Sequence, residues 1–400
     1  MAEHTKVVIV GGGVAALEGA LALRALAPEA LEVELVAPER DFTYRPMLAA
    51  EPFAHGSVST FPLQRLAEAA GASFREAIVT GVETEERLVR TASSDTISYD
   101  ELLLAPGAVP VTAVSGALCF RGPTEARALE RVLEDAERGG VDRIVFAVPA
   151  GAAWALPLYE LALLTRARLV DEGSAGVSIA VVTGEHSPLQ LFGSTASEAV
   201  AELLEARRIE LFTGATPLRF HDGVLTTAPS GALEADAAVA LPRLEGPRLQ
   251  GVLGDAHGFI PTDDHGQVAG EVDVWAAGDA TTFPLKQGGI AAQQADAAAQ
   301  SIAARAGAAV DPQPFRPVLR GLLLTGMVPR FLRAEPGTPA SAIDTEPLWW
   351  PPAKIVGRHL APFLAEHLGL AGVLPDAARG DAIEVEIELT PEHHGVWADV

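Results

Sequence analysis

The chain's apolar residues come in short β-branched runs, each followed by a glycine- or proline-marked turn and then by an Ala/Leu-rich stretch of helical length. Val7-Val8-Ile9-Val10 opens the series, Gly11-Gly12-Gly13 follows, and the helical stretch runs to just before Pro28. A second strand is predicted over Glu32 to Val36. The alternation restarts in mid-chain, with a strand over Arg143 to Val148, a helix over Leu156 to Leu169 and a strand over Ser178 to Val182. Far downstream, Val272 to Ala276 reads as a strand that ends in Gly278-Asp279, with a long Ala/Gln helix after it. Strand, turn and helix in this repeated order predict an α/β fold of two doubly wound units. From about residue 306 the pattern changes to an α+β cap: Phe315 to Leu324 reads as a strand and Glu335 to Glu346 as a Pro/Ala/Ser-rich connection.

Composition narrows the partners. At 400 residues, with 48% hydrophobic residues, 38 Gly and 29 Pro, the chain is a turn-rich globular protein of two or three domains. The formal charge of −24 repels phosphate backbones and anionic lipid, which disfavours nucleic acid and membrane surfaces as partners. The N-terminus runs directly into an apolar strand without a charged leader and long apolar core, so a cytoplasmic location is expected. The ten histidines show no metal-ligand spacing, and no metal is assigned. Cys119 is the one cysteine, so the chain can form no internal disulfide.

The first turn carries phosphate chemistry. Gly11 permits the tight turn, Gly13 allows the backbone to approach a pyrophosphate, and Ala15 and Ala16 keep the following helix close, with its N-terminal N–H groups aimed at the ligand. Glu39, past the end of the second strand, is the candidate for the ribose hydroxyls, against the alternative of a solvated loop carboxylate.

Three landmarks, the glycine turn, Leu102-Leu103-Leu104-Ala105-Pro106-Gly107 and Ala277-Gly278-Asp279, stand in the order found in the FAD-dependent pyridine nucleotide–disulfide oxidoreductase superfamily, which the chain resembles over about its first 305 residues. Asp41-Phe42-Thr43-Tyr44-Arg45-Pro46, Pro157-Leu158-Tyr159-Glu160 and Pro284-Leu285-Lys286-Gln287-Gly288 look most like the branch of sulfide:quinone reductases, flavocytochrome c sulfide dehydrogenases and type II NADH dehydrogenases. The resemblance implies two Rossmann-like, glutathione-reductase-like domains. The FAD domain would span 1–112 and 241–305, around a second dinucleotide-like domain at 113–240, with a cap over 306–400. It also implies that Asp279 holds a ribityl hydroxyl, that Ala105, Pro106, Gly107 and Gly278 border the FAD, and that Lys286, Gln287 and Gly288 lie at the isoalloxazine ring. A cation and a helix N-terminus there would offset the negative charge of a reduced flavin. Tyr44 and Arg45 are candidates for the ring or the pyrophosphate.

The second unit departs from the pattern. Its turn, Pro149-Ala150-Gly151-Ala152-Ala153-Trp154, keeps the central glycine, has proline for the first and places an indole where a small residue permits close helix packing. A nicotinamide cofactor is therefore in question. If one binds, the acidic Glu185 after the unit's second strand favours NADH over NADPH. Disulfide reductases and sulfide oxidisers pass electrons through paired thiols, which Cys119 alone cannot supply. Lys286 and the adjacent Trp349 and Trp350 are the candidate catalytic residues, the tryptophans as an aromatic wall or, alternatively, as a plug or dimer contact. The expected function is two-electron transfer directly at flavin N5 between a small donor, NAD(P)H among them, and a quinone or other small acceptor. The rivals are a flavoenzyme acting on an organic or sulfur substrate without NAD(P)H, and a flavin electron-transfer or redox-sensing protein that does not turn over. His359 to Leu368 is a short helix candidate whose apolar side invites comparison with membrane-docking helices.

Overall fold

The computed structural model describes residues 4–53, 59–229, 231–334 and 341–367. Two five-stranded parallel sheets form its frame. The first has the strand order Val274–Ala276, Glu101–Leu104, Thr5–Val10, Leu31–Ala37, Ser73–Glu76. The second repeats that plan with Leu118–Cys119, Ala237–Ala240, Arg143–Val148, Ser178–Thr183 and Ile209–Phe212. Their unbroken apolar runs fit strands covered on both faces: Val7, Val8 and Ile9 are fully buried, as are Ile144, Val145 and Phe146. Each sheet is accompanied by a three-stranded antiparallel sheet, Val79–Glu83, Leu88–Thr91, Thr96–Ser98 in one case and Thr216–His221, Val224–Ala228, Gly231–Glu234 in the other. The chain passes between the units along Val109–Val111 and Arg243–Glu245, which pair with each other antiparallel.

In the first unit the helices Val14–Leu26 and Gly288–Arg305 pack together through small side chains. Gly19 lets the first of these helices lie close on the sheet, since a Cβ there would come within 2.7 Å of Leu103. The expected strand over Phe315 to Leu324 shrinks to Arg320–Leu323. Upstream of it, Gln293 takes the place of a strand neighbour, accepting from Val318 N at 2.8 Å and donating to Val318 O at 3.1 Å.

Arg320–Leu323, Arg330–Ala334 and Ser341–Asp344 make a third three-stranded antiparallel sheet, which lies on the second unit. From there the chain returns to the first unit and ends its described part in the helix Leu360–His367. Leu360, Ala361, Leu364 and Ala365 are buried, so the apolar face of that helix is covered by the protein itself. The acidic stretch from Asp376 to Val400 lies outside the described residues. Among the described residues no helix is long and apolar enough to cross a membrane.

Candidate functional site

A cavity of about 450 Å³ opens at the carboxyl ends of the first sheet's strands and extends to the second unit. Gly11, Gly12 and Gly13 floor one end. Gly11 has φ +126°, and a side chain there would overlap the Ala105 carbonyl, so the turn requires glycine. A Cβ on Gly13 would meet nothing within 4 Å, which leaves the helix N-terminus open to the cavity. Ala15, Glu39, Arg45, Ala105, Pro106, Gly107 and Gly278 line the same space. Ala16 faces the core, and Gly278, at φ +77°, fits between Ala15 and Ala291, which a Cβ would approach to 3.1 and 3.3 Å.

The charges gather past that turn. Asp279 is half-buried in the cavity wall and, among the described residues, its carboxylate accepts no hydrogen bond from the protein; burial raises its pKa against the pull of Lys286 and Arg45. Lys286 donates to the carbonyls of Thr281 and Phe283 and stands 4.1 Å from the Phe259 ring centre. Burial lowers its pKa to about 8, opposed by Asp279 and Asp255. Gln287 caps the helix Gly288–Arg305 by accepting from Ile290 N at 2.9 Å, and its amide donates to Arg320 O at 3.1 Å. A smaller cavity of about 260 Å³, lined by Gly151, Ala152, Ala153, His257 and Phe283 among others, lies on the other side of Lys286.

The far wall comes from the second unit and the C-terminal segment. Trp154, Leu156, Pro157 and Glu160 line it, together with Gly321, Leu322 and Lys354. Glu160, fully buried in the helix Leu156–Asp171, accepts from Leu324 N at 2.8 Å and from Lys354 Nζ through both oxygens, one at 2.6 Å. Burial raises its pKa, opposed first by the Lys354 ammonium. The motif Pro157 to Glu160 was visible in the sequence; its partner Lys354, 194 residues away, was not.

Tyr44 does not line the cavity. Its hydroxyl accepts from Ile355 N at 3.2 Å and so holds the C-terminal segment over the first unit. Trp349 packs edge-on against Phe331 at 5.0 Å and donates to Ala353 O, while Trp350 is 38% exposed; neither belongs to the cavity lining. Cys119 is buried outside the cavity, and burial pushes its thiol pKa up.

Two parallel-sheet units sharing one cavity over a glycine turn define a two-unit nucleotide-binding oxidoreductase architecture. The chain belongs to the pyridine nucleotide-disulphide oxidoreductase family, whose model matches residues 5–301. Human apoptosis-inducing factor 3 is 30% identical over 310 residues, covering 71% of this chain and 46% of that protein. The chain thus spans less than half the length of the curated relatives it matches, 34% in the case of the mouse counterpart. Among solved structures, the sulfide:quinone oxidoreductase of Aquifex aeolicus superposes with a TM-score of 0.78 at 19% identity, over 85% of this chain and 87% of that one. A ferredoxin reductase from Rhodopseudomonas palustris gives 0.64 at 19% identity, over 82% of each chain. At these identities the likeness is one of fold.

FAD is the cofactor the family implies, and the residues fit it. The cavity offers an open helix N-terminus at Gly13 for a pyrophosphate, Glu39 at its mouth for ribose hydroxyls, and a half-buried acceptor, Asp279, that has no protein donor among the described residues. Each is a partner that a dinucleotide needs.

Proposed function

We propose that the chain is an FAD-dependent oxidoreductase in which two electrons pass between a small-molecule donor and a small-molecule acceptor at the flavin itself, without a thiol relay. The observation that carries this reading is the composition of the cavity: Lys286 and Gln287 on one side, the buried Glu160–Lys354 pair on the other, and no sulfur among its lining residues. Gly11, Gly13 and Asp279 would hold the cofactor, which supplies two-electron acceptance when bound. Lys286 and the start of the helix Gly288–Arg305 place positive charge where reduction creates negative charge. Glu160, with its pKa raised by burial and its oxygens fixed by Lys354 and Leu324 N, is placed to hold or release a proton at the cavity wall. The donor loses two electrons and the acceptor gains them, with protons exchanged through that wall and solvent.

Anaerobic titration of the FAD-loaded protein against a panel of donors, followed by addition of acceptors, tests the reading. Reduction and reoxidation in wild type, unchanged to within about twofold in Cys119→Ser, are expected. A protein that refuses added FAD, or a Cys119→Ser variant whose flavin no donor reduces, would overturn it.

A further inference from the structure

The helix Gly288–Arg305 carries three glutamines, Gln293, Gln294 and Gln300, that read alike in the sequence and do different things in the fold. Gln293 is bonded to Val318, and Gln300 accepts from Gln313 N at 3.1 Å. Gln294 is turned instead toward the back of the short turn Gly278–Ala280, where it is only 6% exposed. It lines neither cavity.

Both ends of its amide are used there. Oε1 accepts from Gly278 N at 2.8 Å, and Nε2 donates to Thr281 Oγ1 at 3.3 Å. Thr281 is fully buried, and its hydroxyl donates in turn to Gly278 O at 3.0 Å. The backbone of Ile260 grips the far half of the turn, holding Ala280 O at 2.8 Å and Thr282 N at 3.0 Å. The Gly278 N–H, among the described residues, is left to Gln294. A buried N–H that loses its acceptor is costly, so the Gln294 oxygen fixes the direction of that peptide.

The turn held in this way presents two charged groups. Asp279 follows Gly278 directly and carries its carboxylate into the cavity wall. The Thr281 carbonyl accepts from Lys286 Nζ, which also donates to Phe283 O at 2.6 Å. Phe283 N is tied back to Thr281 Oγ1 at 3.4 Å, so one hydroxyl links Gln294 to the segment that seats the ammonium.

We propose that Gln294 is a positioning residue of the cavity: without touching a ligand, it holds the Asp279 carboxylate and the Lys286 ammonium in fixed relation, and one buried amide governs both the grip on the cofactor and the charge placed beside it. This inference rests on the reading that the cavity holds the flavin.

The test uses the full chain and its FAD complex. Gln294→Met keeps the length of the side chain and removes the amide; Thr281→Val keeps the shape of its partner and removes the hydroxyl. FAD affinity, read from flavin fluorescence, is expected to fall about three- to thirtyfold in Gln294→Met and by less in Thr281→Val. A positioning role makes that loss depend on the groups positioned. In an Asp279→Ala background, Gln294→Met should therefore weaken FAD by less than about twofold. The flavin midpoint potential should move to more negative values in Gln294→Met, and the shift should vanish in a Lys286→Met background. Wild-type affinity and potential in both single variants would overturn the proposal. So would a loss of affinity as large without Asp279 as with it, which would make Gln294 a packing residue alone. Where Gln294→Met does not fold, Thr281→Val carries the same double-variant comparisons. A protein that takes up no FAD overturns the proposed function and this inference with it, whereas FAD binding indifferent to Gln294 overturns the inference alone.

Discussion

Lys286 carries a conflict between solvation and charge. The residue is 8% exposed, its ammonium held by two carbonyls and an aromatic ring, and burial outweighs the attraction of Asp279 and Asp255 to bring its pKa from 10.5 to about 8. The unfolded chain therefore binds more protons than the folded one between about pH 8 and pH 10. Stability must rise with pH across that window and carry no pH dependence from Lys286 below it, where both states hold the charge and the folded state bears the full burial penalty. The full shift corresponds to about 3 kcal/mol, an upper bound that water penetration reduces. Thermal melts at either end of the window should show the rise in wild type and lose it in Lys286→Met. In the FAD-loaded protein the same variant should move the flavin midpoint potential to more negative values, because a cation near the developing anion is gone. An unchanged potential would remove Lys286 from the flavin's surroundings.

At the scale of elements, the C-terminal segment is tied down by groups that look unremarkable in the sequence. Glu18, in the helix Val14–Leu26, is fully buried and caps the helix Leu360–His367 by accepting from His359 N at 2.9 Å and Leu360 N at 2.6 Å. Gly357 passes so close that a Cβ would lie 3.0 Å from Ala292. Glu18→Ala strands two buried donors, at about 1–3 kcal/mol each, and should lower the melting temperature and open the chain near residue 357 to proteolysis. Glu18→Gln, which keeps one acceptor oxygen, should cost less. If Glu18→Ala melts like wild type, the cap does not hold the segment. Nothing local marks Glu18 as buried: an acid in an Ala/Leu helix reads as solvent-facing until its partner, more than 340 residues away, is in place. The glycine turn was legible for the opposite reason. Gly11, Gly13 and the helix after them answer to backbone geometry within one strand–turn–helix, and that geometry is written in consecutive residues. Trp154 was legible as a break in that pattern, but its direction depends on Phe192 and Gly321, which no spacing rule connects to it.

Across the whole molecule, one ion pair joins the second unit to the C-terminal segment and forms part of the cavity wall. Glu160 has 0% and Lys354 6% of its side chain exposed, so each charge depends on the other. Removing one partner from such a pair typically costs about 3–5 kcal/mol, because a charge is left buried alone, whereas replacing both by apolar side chains of similar size is often neutral or stabilising. Glu160→Gln and Lys354→Met alone should each lower stability by amounts of that order, and the double variant Glu160→Leu/Lys354→Met should recover most of the loss. On the proposed function activity should not recover, since the carboxylate assigned to exchange a proton with the cavity is absent from the double variant. Chemical denaturation paired with turnover measurements separates the two roles. Restored stability with restored turnover would make the pair a structural tie alone. Restored stability with turnover still lost would place Glu160 in the chemistry that the cavity performs.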